Sequence, residues 1–149
     1  MSKNFKLISL GDAKWILGTR VRYEKDSIII DQEKYINDIL EKFKMMDCKS
    51  VLTPIVKENS IKNSEQPVDK NLYLSMVGSL IYLAVISRPD IAFAVSQVSQ
   101  AMANPIQENF IAVKRILRYI SGTKNYSITY SKNGNKILHG YSDSDWGGN

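Results

Sequence analysis

The chain has 149 residues, 44% of them apolar, which is enough to bury a core and excludes a wholly disordered chain. Its net charge of +5 favours polyanionic partners but falls far short of an arm that binds DNA by charge alone. A single cysteine, Cys48, and a single histidine, His139, exclude an internal disulfide and a Cys/His zinc site.

The opening, Phe5 to Asp12, is short and closes on a turn signal at Gly11-Asp12. From Trp15 to Tyr23, residues Thr19, Val21 and Tyr23 alternate with Arg20 and Arg22, the period of a half-buried strand. Glu24 to Ser27 turns the chain and Ile28 to Ile30 returns, so a β-hairpin is predicted. Asp31 is a fair N-cap for a helix that gathers Tyr35, Ile36, Ile39, Leu40 and Phe43 on one face and ends near Met46. Residues 56–71 are polar and aperiodic, and read as a linker or long loop.

A second helix is predicted from about Leu72 to Val85, with Tyr73, Met76, Val77, Leu80, Leu83 and Ala84 on its buried side. Ser87-Arg-Pro-Asp90 breaks it and starts a third, whose stripe is Ile91, Val95, Val98 and Met102. A fourth, from about Gln107 to Ile120, buries Phe110, Val113, Leu117 and Ile120 and shows Lys114, Arg115 and Arg118 on its other face. Ser121-Gly122 stops it. Strands are predicted at Tyr126–Ser131 and Ile137–Ser142 around a turn at Asn133-Gly134.

Four features carry candidate chemistry. Gly78 lies inside a helix, where glycine costs about 1 kcal/mol relative to alanine, so it needs a reason. Leu74, Gly78 and Tyr82 share one face at i, i+4 and i+8; either a duplex backbone approaches there, or another helix packs closely with Tyr82 in the core. Arg88 either contacts a phosphate or, more simply, pairs with Asp90. The cations Lys114, Arg115 and Arg118 either meet phosphates or form a solvated helix face. On a strand, Asp143 and Asp145 would project to the same side about 6–7 Å apart, a pairing that suits Mg²⁺.

Four stretches stand in a telling order: Ile16-Leu-Gly18; Val77-Gly-Ser-Leu-Ile-Tyr-Leu83 with Ser87-Arg-Pro-Asp-Ile91; Lys114-Arg-Ile-Leu-Arg-Tyr119 with Gly122-Thr123; and Gly140-Tyr-Ser-Asp-Ser-Asp-Trp146. Together with Lys34-Tyr-Ile36 and Thr53-Pro54, they make the chain from about Phe5 onward resemble the Gag-Pol polyprotein of copia-type LTR retrotransposons. The resemblance runs from the end of reverse transcriptase, through thumb and connection, to the start of ribonuclease H.

What the resemblance implies is specific. The Leu17-Gly18 hairpin corresponds to the primer grip. Leu74, Gly78 and Tyr82 lie on the first thumb helix, against the minor groove of an RNA–DNA hybrid or duplex, with Tyr82 packing against sugars. Lys114, Arg115 and Arg118 are further nucleic-acid contacts. Asp143 matches the first catalytic and metal-binding carboxylate of ribonuclease H, while Asp145 sits where that role is not required. The family's His-Trp is replaced here by Asn109-Phe110, which keeps the aromatic core position only.

The expected fold is α+β: a hairpin with a helical thumb-like bundle, then a partial strand pair from a ribonuclease H-like sheet. The expected divisions are 1–55, 56–71 as linker, 72–123 as the helical unit and 124–149 as the ribonuclease H start. Mg²⁺ belongs to the complete parent enzyme, with no cofactor expected in this stretch. No Asp-Asp dipeptide occurs in the chain, so the polymerase metal site is not expected within it, and Asp143 is expected to be idle without its partner carboxylates. Expected partners are hybrid or duplex nucleic acid and the remaining polyprotein domains. No membrane partner is expected, because no apolar run reaches the roughly 18 residues of a span, and an intracellular location is the default expectation, with cytoplasm and nucleus both open. A host-retained nucleic-acid-binding protein and a functionless decayed fragment are the alternatives.

Overall fold

In the computed structural model, which describes residues 11–56, 68–134, 137 and 140–142, the strand pattern of Trp15 to Tyr23 is folded in two. β1 (Trp15–Ile16) runs antiparallel to β2 (Thr19–Tyr23), with Ile16 opposite Thr19. The two residues between them, Leu17 (φ 48°) and Gly18 (φ 81°), both have left-handed backbone, the conformation a two-residue hairpin loop demands. β3 (Ser27–Asp31) then pairs with β2, its turn closed by the Glu24 N–H donating to the Ser27 carbonyl at 2.9 Å.

The register sets Arg20 opposite Asp31. Asp31, only 2% exposed, receives Arg20 at 3.0 Å and Arg22 at 3.4 Å. The predicted cap is thus shared with two arginines and moved out of the N-cap position. Helix α1 (Glu33–Lys42) is entered through Gln32, whose side chain makes no capping bond; Asp31 ends β3 one residue before that position, yet its carboxylate still accepts the Glu33 N–H at 3.4 Å. The helix also stops four residues short of Met46. Lys44 turns left-handed (φ 56°), the Met45 N–H reaches the Leu40 carbonyl at 2.7 Å, and the Lys44 N–H reaches that of Glu41 at 3.0 Å. This is a Schellman closure with lysine at the position glycine usually takes.

Helix α2 (Lys70–Ile86) begins where the Asp69 carboxylate accepts the Leu72 N–H at 3.1 Å. A 3-10 turn over Pro89–Ile91 leads into α3 (Ala92–Ser99), and α4 spans Gln107–Gly122. At the start of α4 the Asn109 carboxamide accepts the Ile106 N–H at 2.9 Å, so the residue in place of the family's histidine serves as a cap.

All four helices feed one core, in which Ile36, Leu40, Tyr73, Leu80, Ile91 and Leu117 are fully buried. The predicted faces of α1, α2 and α3 are the buried ones, except that Tyr35, Ala84 and Met102 lie at the margin. In α4, Ile116 and Tyr119 join the core while Phe110 stays at its edge. No residue of the described strands belongs to that apolar core.

β4 (Ile128–Ser131) forms where a strand was predicted, but its partner is β3, giving a four-stranded antiparallel sheet in the order β1-β2-β3-β4. Of the expected partner Ile137–Ser142, Ile137 and residues 140–142 are not strand, and residues 138–139 lie outside the described residues. A two-stranded ribbon alone is marginal in water. β3 instead offers a free edge on which Ile28 faces Tyr130 and Ile30 faces Ile128.

Candidate nucleic-acid interface

From Asn71 to Ser87 the sequence of α2 and its end carries no charge, so this helix is apolar on its outer side as well as on its buried one. The outer side holds Leu74, half-buried, and Gly78, exposed, followed by Ile81 and Val85, the last 77% exposed. A Cβ added at Gly78 would meet nothing within 4 Å. Close helix packing is therefore not what Gly78 provides, and Tyr82, half-buried, is not a core residue.

Tyr82 turns instead toward the hairpin. Its hydroxyl donates to the Leu17 carbonyl, and its ring meets that of Tyr35 edge to face, with centroids 5.1 Å apart at 76°. The Tyr35 hydroxyl in turn donates to the Ser79 carbonyl at 3.3 Å, and burial pushes its pKa above the ordinary phenol value. The tip formed by Leu17 and Gly18 thus sits against the side of α2 that carries Leu74, Gly78 and Tyr82. Leu17 itself is 86% exposed. At the border of this surface the Lys42 ammonium donates to the Ser75 hydroxyl at 2.8 Å.

The cations of α4 are engaged elsewhere. Residues 48–56 run antiparallel along that helix as a strap. The Cys48 thiol lies 3.4 Å from the Ser121 hydroxyl, the Arg118 Nε–H donates to the Lys49 carbonyl at 2.7 Å, and an Arg115 terminal nitrogen donates to the Thr53 hydroxyl at 2.9 Å. Lys114 is exposed, with its ammonium 4.7 Å from the centre of the Phe110 ring. A cavity of about 280 Å³ lies beside the strap, lined by Ile55, Ala94, Val98, Ile111 and Arg115 among others.

Arg88 takes the simpler of its two readings. It is 1% exposed and grips Asp90 through two bonds of 2.9 and 2.7 Å. It also donates to the Thr123 carbonyl at 3.0 Å and the Thr123 hydroxyl at 2.6 Å, closing the C-terminal end of α4. Burial alone would raise the Asp90 pKa, but the bonds from Arg88 and from the Tyr119 hydroxyl outweigh it and hold the carboxylate below its ordinary range.

Asp143 and Asp145 lie outside the described residues. Among the described residues no three His, Cys, Asp or Glu side chains come together to hold a metal. The strap and the Tyr35–Tyr82–Leu17 chain of contacts are not legible in the sequence, because the bonded partners are 44 to 73 residues apart and leave no local pattern.

Residues 1–57 match the family model for reverse transcriptase (RNA-dependent DNA polymerase). Over 99% of its length the chain is 37% identical to the retrovirus-related Pol polyprotein from transposon RE1 of Arabidopsis thaliana, covering 10% of that protein. It is 39% identical, again over 99% of its length, to the corresponding polyprotein from transposon TNT 1-94 of Nicotiana tabacum, covering 12%. An uncharacterized mitochondrial protein of Arabidopsis thaliana is 35% identical over 99% of this chain and 62% of its own length. The chain therefore spans only about a tenth of the polyproteins it matches. No solved structure matches it.

Proposed function

The chain belongs to the Pol polyproteins of copia-type retrotransposons, with reverse transcriptase sequence over residues 1–57, and on that premise we propose that it grips the primer–template. Its role is binding and not chemistry, since no Asp-Asp dipeptide is present to hold the polymerase metals. The observation that carries this reading is Gly78: an exposed glycine in mid-helix, on an uncharged face, where among the described residues a Cβ would meet nothing within 4 Å beyond its chain neighbours and its own helix backbone. Glycine there costs about 1 kcal/mol of helix stability relative to alanine, and nothing packed against it among the described residues repays it. The backbone of a duplex coming close to the helix does.

The uncharged stripe suits the sugars of a minor groove, and Lys42 at its border suits a phosphate. Hybrid RNA–DNA, whose minor groove is wide and shallow, is the partner this shape fits best. In the complete polyprotein, Asp143 would serve as the first ribonuclease H carboxylate and would there bind Mg²⁺.

The test is fluorescence anisotropy with a short RNA–DNA hybrid, duplex DNA and single strands across a salt series. The wild-type chain is expected to prefer the hybrid, and Gly78→Leu to weaken that binding at least tenfold with its thermal midpoint intact. Binding that ignores both nucleic-acid shape and the substitution would sink the reading.

A further inference from the structure

Leu17 is a non-glycine residue held in left-handed backbone, and its apolar side chain is 86% exposed. Both features are costly, and neither is relieved by burial. Its strand gives little support: β1 is two residues long, and Trp15 and Ile16 are each 51% exposed. The tip is instead tied to α2, across 65 residues of sequence, by the Tyr82 hydroxyl donating to the Leu17 carbonyl. Tyr82 is itself fixed by the edge of Tyr35, and Tyr35 by its bond to the Ser79 carbonyl one turn back on the same helix.

We infer that Tyr82 is a positioning residue: its hydroxyl holds the hairpin tip against α2, so that the Leu17 side chain and the Gly78 face present one continuous surface to nucleic acid. The inference rests on the primer–template reading and changes the part Tyr82 plays in it. A hydroxyl whose proton is committed to a backbone carbonyl does not donate to a sugar or a phosphate. Tyr82 acts through Leu17.

Two substitutions separate the parts. Tyr82→Phe keeps the ring and its contact with Tyr35 and removes only the bond. Amide exchange at Gly18 and Thr19 should then quicken about tenfold, while exchange in α2 and α4 stays as in the wild type. Affinity for the RNA–DNA hybrid should fall about five- to tenfold with an unchanged salt slope, because no cation–phosphate contact is lost. Leu17→Ala removes the exposed side chain but leaves the carbonyl. It should weaken hybrid binding with exchange at Gly18 and Thr19 unaltered.

Tyr82→Phe that leaves tip exchange unchanged, or quickens it without weakening the hybrid, overturns the positioning role and leaves the binding reading standing. A wild-type chain that fails to bind the hybrid overturns the binding reading, and the positioning of nucleic acid with it. Exchange at the tip then still decides whether the hydroxyl is what holds the hairpin.

Discussion

Three single residues show how much one backbone angle or one Cβ decides. Lys44 closes α1 with φ 56°, a conformation glycine adopts freely and lysine does not. Lys44→Gly should stabilise the chain by about 1 kcal/mol, read as a higher urea midpoint with an unchanged slope. Gly122 and Gly78 look alike in the sequence, each a glycine in or beside an apolar helical pattern. In the structure they are opposites. A Cβ at Gly122 would stand 2.8 Å from the Ser50 Cβ, whereas at Gly78 it would meet nothing. Gly122→Ala should therefore cost roughly 1–3 kcal/mol by pushing the strap off α4, measurable by the same denaturation. The sequence marked Gly122 as a helix stop, and a helix stop is a local property. Its close approach to a residue 72 positions away is not.

Among the elements, α4 best separates what pattern shows from what it hides. Its apolar stripe was legible because residues three and four apart share a face, and Val113, Leu117 and Ile120 are buried as that spacing requires. The fate of its cations was not legible, because a charged face reads the same whether it meets water, phosphate or the chain's own carbonyls. Arg115 and Arg118 are committed to Thr53 and Lys49. Arg118→Ala should loosen the strap, speeding amide exchange over residues 49–53 and costing about 1 kcal/mol, with little change in hybrid affinity. A large loss of hybrid affinity would instead make Arg118 a phosphate contact. The pairing of β4 has the same character: its strand pattern was local, but the choice of β3 as partner joins residues about a hundred positions apart.

At the scale of the whole molecule, Arg88 joins the end of α2 to Asp90, to Thr123 at the end of α4 and to the rings of Tyr119 and Tyr126, 5.6 and 5.2 Å away. Its pair gives stability a pH signature. Because the folded pKa of Asp90 is depressed, its contribution is complete above the ordinary carboxylate value of about 3.9 and is lost as pH falls through the lower folded value. Tyr73 works in the other direction. Its hydroxyl donates to the Val98 carbonyl, and burial pushes its pKa up to about 12. That contribution is complete below the ordinary phenol value of about 10 and is lost as pH rises from there toward the folded value. Urea denaturation across pH should show both limbs. Asp90→Asn should flatten the acid limb and cost roughly 3 kcal/mol at neutral pH, because Arg88 would keep its charge in a buried place without a counter-ion.

The helices, the faces they bury, the turn residues and the resemblance to a family are all legible in the chain's own letters, since they are written in spacings of a few residues or in the order of short motifs. That Gly78 is open and Gly122 closed, that β4 completes the first sheet, that Arg115 and Arg118 serve a strap, and that the Tyr82 hydroxyl reaches Leu17 emerge from the folded arrangement alone. These outcomes depend on contacts between groups 60 to about 100 residues apart, and no local periodicity records which distant partner a side chain or a strand edge will meet.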